Sequence, residues 1–237
     1  MPAKQQFDRP KTSNSNQQIP STGNVQFGDL RRLEPLTTSF GYERGQPIDR
    51  YYIEHFLGKH SSDISGHVVE VGDNRYTRQF GGDKVTRSDV LDQAHPGTAP
   101  TIIADLTRAD SVPSNTFNCV MAIQTLQFIY DIAAAVNTLH RILRPGGVLL
   151  ASFSTVSQIS RYDMDQWGDY WRLTSAAAKR LFGDIFGADR VQVEAYGNVL
   201  VATAFLYGLA AQDLTAEELD FRDRDYEALV CVRAVKA

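Results

Sequence analysis

Cysteine is scarce in this chain: two in 237 residues, Cys119 and Cys231, far apart and each inside an apolar run, "FNCVMAI" and "ALVCVRAV". A disulfide framework or a zinc site needs more ligands, closer together, so both read as reduced core thiols. Long hydrophobic runs are missing, and none reaches the length that spans a bilayer. The opening "MPAKQQFDRPKTSNSNQQIP" has no apolar core of a secretory signal, which makes a cytoplasmic protein without membrane partners the expectation. Basic runs are missing as well. Lys and Arg are scattered and the net charge is −4, so a nucleic-acid surface is not expected. No His, Cys, Asp or Glu cluster has metal-ligand spacing; no metal is expected, with a hydrated Mg²⁺ on scattered acids left open.

What is present is an ordinary globular composition, 43% hydrophobic and 22% charged, enough for one well-filled core. Residues 1–27 are rich in Gln, Asn, Ser and Pro and are expected to be a disordered tail. Residues 28–237 read as one domain opened by a helical arm, 28–60. In the arm Pro47 suits a helix start, and Ile48, Tyr51, Tyr52 and Phe56 share one helical face.

Strands and helices then alternate. "HVVEVG", "DKVTRSDVL", "PTIIADL", "FNCVMAIQ" and "GVLLASFS" read as strands one to five. Between the last two, Ile132, Val136, Leu139 and Leu143 recur at helical spacing, and "RPGG" is expected to stop that helix and turn the chain. A helix follows in "TSAAAKRLFGDIFG", capped by Thr174 or Ser175, with Ala178, Leu181, Phe182 and Ile185 inward. "RVQVEAYG" and "YEALVCVRAVKA" read as two late strands, flanking an apolar helix over 199–214. The pattern predicts an α/β fold: a doubly wound, mostly parallel sheet covered on both faces.

In such a sheet ligands bind at the carboxyl ends of the strands. The turn after strand one, "VVEVGDNRYTRQFGG", has Gly72 but lacks the second loop glycine, offering Asn74, Arg75 and Tyr76 instead. A pyrophosphate cradle needs those glycines, so nicotinamide and flavin dinucleotides are disfavoured, and a ligand without phosphates is not. Glu70 at this edge suits a cationic amine or an ordered water. Asp89, taken as the end of strand two, is placed to accept from ribose hydroxyls, and Asp105, ending strand three, from an adenine amino group.

The series "VVEVGDNRY", "SDVL", "IIADLT", "FNCVMAIQTLQFIYD" and "HRILRPGGVLLASF" resembles the class I S-adenosylmethionine-dependent methyltransferases over roughly residues 66–237. The resemblance is closest to small bacterial members that often accompany glycosyltransferases in polysaccharide or natural-product biosynthesis. It implies a Rossmann-like seven-stranded sheet with an antiparallel last strand, and S-adenosylmethionine as cofactor. It also implies that Glu70, Gly72, Asp73 and Asn74 line the methionine end, that Asp89 and Val90 hold the ribose and that Asp105 and Leu106 border the adenine. Ala122, Ile123 and Gln124 would lie near the sulfonium. The chain departs from the family at three places: Asn74 stands where many relatives have Gly, Asn118 where Asp is common, and Phe128 where some carry a His.

For the acceptor side, "SQISRYDMDQWGDYWRLT" holds both tryptophans among several acids and tyrosines. Tyr162, Trp167, Tyr170 and Trp171 are the candidate substrate residues; Trp167 and Trp171, four apart, would share a helix face. Aromatic faces beside carboxylates suit a sugar, or equally a cationic or aromatic small molecule. Asp165 and Asp163, then His55, are the candidate bases. In the arm, Arg44, Asp49 and Tyr51 could cover the cofactor, Arg44 pairing with its carboxylate or else with a surface Asp. The expected reaction is methylation of a small-molecule or glycan hydroxyl. N- or C-methylation, a nicotinamide oxidoreductase lacking its Tyr-x-x-x-Lys pair, and a non-catalytic binding module remain the alternatives. The apolar helix is a candidate homodimer face.

Overall fold

The computed structural model describes residues 19–93 and 99–237, in two units that divide after Leu33. The expected tail lies outside the described residues as far as residue 18, as does His95. In the first unit the one regular element among the described residues is a 3-10 turn, Gly28–Leu30.

The second unit, Glu34–Ala237, is built on seven strands: β1 (Gly66–Val71), β2 (Val85–Asp92), β3 (Ile102–Ile103), β4 (Phe117–Ile123), β5 (Leu143–Ser154), β6 (Val191–Tyr196) and β7 (Leu229–Val235). Their order is β3-β2-β1-β4-β5-β7-β6. β7 runs antiparallel to both neighbours, and the other pairs are parallel. This is the expected Rossmann-like sheet, and its strand order reverses between β1 and β4.

Side chains alternate across a strand, and here both faces are apolar. Val69, Val120, Ala122, Leu149, Ala151, Val230 and Val232 face a core filled by α2 (Ile132–Ile142) and α4 (Ser175–Phe186). The alternate residues Val68, Cys119, Met121, Leu150, Leu229 and Cys231 face a second core under α1 (Ile48–Lys59), α5 (Val199–Leu206) and α6 (Ala216–Asp220). Both cysteines are free and buried there. Side-chain caps start the helices where the sequence offers them: Asp131 on α2, Thr174 (of the two expected caps) on α4, Asn198 on α5 and a Thr215–Glu218 box on α6. Leu181 and Ile185 of α4 are partly buried against the core, while Phe186 completes the buried face with Ala178 and Phe182.

Three elements differ from expectation. β3 is cut short because the Asp105 carboxylate accepts from the Thr107 N–H and hydroxyl, turning the chain. "RPGG" does not end a helix; α2 stops at Ile142 and β5 starts at once. The extra residues are absorbed as a bulge, with Phe117 opposite Leu143 and Cys119 opposite Val148. The apolar helix stops at Leu206, and the chain then returns to bridge Pro47 through Ala210. No described helix is long and apolar enough to cross a membrane.

Within the second unit, the arm from Glu34 onward is docked by backbone. Ala211 N–H donates to Gln46 O at 2.8 Å and Leu36 N–H to Tyr207 O at 2.9 Å. Gly41 makes this approach possible: its φ is +93°, and a Cβ there would lie 2.6 Å from the Leu209 carbonyl oxygen. Gly41→Ala is therefore expected to cost roughly 1–3 kcal/mol and to free the arm, read as a lower urea midpoint with early proteolysis near residue 41. An unchanged midpoint and cleavage pattern would show that the docking is incidental.

Candidate active site

Two cavities lie side by side over the carboxyl ends of the strands. The larger, about 320 Å³, is floored by Val71 and Gly72 after β1, Leu91 and Asp92 of β2, and Ala104 and Leu106 after β3. Its outer wall is Tyr162 and Trp167. The smaller, about 260 Å³, lies over β4 and β5 between the arm, which gives Phe40, Tyr42, Asp49 and Arg50, and the segment after β5. That segment brings Ser160, Asp163, Asp169 and Arg172, partly through α3 (Arg161–Gln166). Gln124 and Phe128 line both. Gln124 sits at φ +51°, uncommon for a residue with a side chain. Its N–H is anchored on Ser152, 3.2 Å from the carbonyl and 3.1 Å from the hydroxyl oxygen.

The glycine turn is open. Gly72 has φ +91°, and a Cβ there would meet nothing within 4 Å. The bulk that follows is turned away: Asn74 bonds Ser88 and Arg78, and the Arg75 guanidinium lies 4.8 Å from the Tyr76 ring centroid. Asp73 is exposed and accepts from Arg75 N–H at 2.8 Å. Glu70 is buried beneath the turn, accepting from the Thr77 N–H at 2.8 Å and the Thr77 hydroxyl at 2.7 Å. Burial pushes its carboxyl up to about 7, with those bonds opposing.

Several expected positions move. Asp89 does not end strand two; it is mid-strand, 4% exposed, and bonded to His67 at 2.6 Å, Thr101 at 2.9 Å and Arg87 at 3.0 Å. Burial alone would raise its carboxyl, but these partners hold it below the usual range. The acid at the end of β2 that lines the cavity is Asp92, and its floor neighbour is Leu91 in place of Val90, whose N–H and C=O are bound to Thr101. Asp105 is exposed on its turn beside the lining residue Leu106. Ala122 is buried in the core, whereas Ile123 and Gln124 reach the smaller cavity.

The arm and the acceptor side divide similarly. Arg44 pairs with Asp213 at 2.8 Å and Tyr51 donates to Asp220 at 2.9 Å, and neither lines a cavity; the arm's arginine that does is Arg50. His55 is exposed, edge-on to Tyr196. Asp165 is exposed, 3.5 Å from Arg161 on the outside of α3. Asp163 does line the smaller cavity. Burial raises its carboxyl, the Ser160 hydroxyl bond lowers it, and Asp169 raises it again. Asp169 is itself held low: burial would raise it, but two bonds from Arg172, at 2.6 and 2.9 Å, prevail. The tryptophans do not share a helix face, because α3 ends at Gln166. Trp167 joins Tyr162 on the larger cavity, while Trp171 donates to Ile129 O at 3.0 Å and stacks on Tyr130. Tyr170 is exposed and donates its hydroxyl to Trp167 O.

Sequence reasoning missed Asp92, Arg50 and Gln127, whereas Asp169 belongs to the acid-bearing segment singled out for the acceptor side. Asp92 lay beyond Asp89, the assumed end of strand two; for the other two no local pattern signals a cavity. Among the described residues no group of three or more His, Cys, Asp or Glu could hold a metal.

The family model for a methyltransferase domain matches residues 62–151. No curated protein matches the chain. Among solved structures, an S-adenosylmethionine-dependent methyltransferase from Mesorhizobium loti shares 18% identity, covering 80% of this chain and 98% of that one with a TM-score of 0.52. The N-methyltransferase NodS from Bradyrhizobium japonicum, solved with S-adenosylhomocysteine, shares 12%, covering 85% and 94% with a TM-score of 0.51. The cyclase SpnF shares 12%, covering 81% and 84% with a TM-score of 0.52. At these identities the likeness is one of fold, and a fold alone hosts more than one chemistry.

The Glu70 carboxyl gives a pH test of the loop. Its folded value lies above its unfolded one, so the folded state holds the extra proton between about pH 4.5 and 7. Stability from this group is therefore lost as pH rises through that window. Glu70→Gln is expected to remove that loss, narrowing the difference in urea midpoint between pH 5 and pH 8. An equal pH slope in both proteins would place the buried charge elsewhere.

Proposed function

We propose that this S-adenosylmethionine-dependent methyltransferase, whose residues 62–151 match the methyltransferase domain, methylates a hydroxyl of a small-molecule or glycan acceptor seated in the smaller cavity. The observation that carries the acceptor reading is Asp163. Of the three carboxyls lining that cavity, Asp169 is bonded to Arg172 and Asp49, also raised by burial, adjoins Arg50, while the side-chain partners of Asp163, Ser160 and Trp167, are both neutral. A carboxyl raised by burial, without a cation beside it, suits a general base.

The larger cavity fits the cofactor. No Lys or Arg is among its lining residues, which disfavours phosphates and suits a cationic ligand. Asp92 is placed for the ribose hydroxyls and Leu106 and Ile129 for the adenine faces, with Asp105 at the rim. Gly72 admits the methionine portion, Asp73 and Asn74 border it, and Glu70 supports the turn from below. Tyr162 and Trp167 line this cavity, so on this reading they cover the cofactor side. When bound, the cofactor supplies an electrophilic methyl on sulfur: the acceptor oxygen forms the C–O bond as the C–S pair stays with sulfur.

The chain's own part is positioning and proton transfer. Asp163 takes the hydroxyl proton. Gln124, lining both cavities, sets where the acceptor oxygen meets the methyl. The arm and the segment after β5 exclude water. An amine acceptor would meet Asp163 as a counter-ion, the second reading. Buried unpaired thiols suit a reducing compartment such as the cytoplasm, and the exposed Val199, Leu200 and Leu206 of α5 support a homodimer through that face.

Calorimetric titration with S-adenosylmethionine checks the cofactor side. Asp92→Ala is expected to weaken binding about tenfold or more, whereas Asp89→Ala should lower the unfolding midpoint through the loss of the His67 and Thr101 bonds. Wild-type affinity in Asp92→Ala would reject this orientation of the cofactor. On the acceptor side, Asp163→Asn is expected to lower kcat by about 10²–10⁴ with cofactor affinity unchanged. Because the base must be ionised, the wild-type rate should rise with pH through a carboxyl titrating above its ordinary range, and the variant should lack that limb. Full activity of Asp163→Asn eliminates it as the base.

A further inference from the structure

Among the described residues, the buried side-chain polar atoms without a hydrogen-bond partner are Arg50 Nε, Gln124 Nε2 and Gln127 Oε1. All three side chains line the smaller cavity. Orphaned buried polar groups are costly, and three on one cavity mark the complement of a ligand. Gln127 is the most committed of them. Its residue is 4% exposed, and its Nε2 donates to Gln124 Oε1 at 2.7 Å, which leaves the opposite half of each amide open. Its backbone carbonyl is occupied separately, accepting from Tyr170 N–H at 2.9 Å and Trp171 N–H at 3.2 Å, so the side chain is not needed to hold that segment. Arg50 Nε stands 3.7 Å from Asp49 Oδ2, too far for a hydrogen bond.

The cavity thus offers two donors and one acceptor. The Arg50 and Arg172 charges face Asp49 and Asp169, so no free cation calls for an anionic ligand. Neutral hydroxyls of Tyr42, Ser154 and Ser157 complete the wall, with the Phe40 and Phe128 rings beside them. Resting on the hydroxyl-acceptor reading above, we infer that the acceptor is a neutral ring bearing hydroxyls on neighbouring carbons, a pyranose sugar. We further infer that the linked amides of Gln124 and Gln127 read the hydroxyl next to the one that is methylated. That hydroxyl donates to Gln127 Oε1 and accepts from Gln124 Nε2; Arg50 Nε serves a further ring oxygen. Gln127 is then a specificity residue that fixes which hydroxyl faces Asp163. A site built around a buried hydrogen bond rejects analogues that lack the matching group, because its own polar atoms are left unpaired.

The test uses the full chain, S-adenosylmethionine, a panel of methyl pyranosides with their monodeoxy analogues, and cyclohexanol and phenol as single-hydroxyl probes. S-adenosylhomocysteine release gives the rate, and NMR of the product gives the methylated position. The expected result is turnover of a pyranoside, with removal of the hydroxyl next to the methylated one lowering kcat/KM about tenfold or more. In Gln127→Met that ratio should fall to about one while S-adenosylmethionine affinity stays unchanged, an effect that general loosening of the fold would not produce. The deoxy comparison on the wild-type protein needs no variant to fold. An undiminished deoxy ratio in Gln127→Met overturns the inference. So does use of cyclohexanol or phenol as readily as the pyranosides, or failure of every pyranoside with a protein that binds S-adenosylmethionine. A protein that does not bind S-adenosylmethionine fails at the cofactor reading itself, and the inference falls with it.

Discussion

Everything at the site follows from the reversal of strand order between β1 and β4. The chain leaves β1 toward β2 and β3 on one side, then crosses to β4, β5 and β7 on the other. Connections therefore diverge above the carboxyl ends of these two strands, and no backbone fills the space between them. That space is where the larger cavity opens, with the smaller beside it over β4 and β5, and Gln124, which follows β4 and lines both, is held in a left-handed conformation by Ser152 of β5.

The glycine turn shows how polar groups are distributed to keep that space usable. A helix start beneath a ligand leaves backbone N–H groups in need of acceptors. Glu70 supplies one from below, inside the sheet, and its burial is tolerated because the Thr77 N–H and hydroxyl both bond it. Asn74 and Arg78 satisfy each other to the side. With those needs met within the protein, Gly72 remains bare toward the larger cavity, and bulky residues in the turn do not obstruct it.

The smaller cavity is assembled from segments far apart in the chain: the arm before the sheet, the turn after β4 and the excursion after β5. Its charges are mostly paired internally, Asp49 beside Arg50 and Asp169 bonded to Arg172, whereas the side-chain partners of Asp163, Ser160 and Trp167, are neutral. The arm matters here beyond stability, since its α1 residues bury Tyr52 and Phe56 in the second core while Asp49 and Arg50 of the same helix face the cavity.

What the sequence determined by itself was the set of elements and the chemistry of the first turn. Strand alternation, the helical spacing of Val136 and Leu139, the caps Asp131 and Thr174 and the glycine after "VVEV" are all local, set by sterics and hydrogen bonds between residues near in sequence. What only the tertiary structure decided was which of several similar side chains reaches a cavity. Asp92 does and Asp89 does not, because β2 continues past Leu91 and His67 from the neighbouring strand claims Asp89. Arg50 does and Arg44 does not, because Asp213, 169 positions away, captures Arg44. Trp167 and Trp171 part because α3 is only six residues long. Each outcome depends on a partner remote in sequence, and a local pattern carries no record of which remote partner will be near.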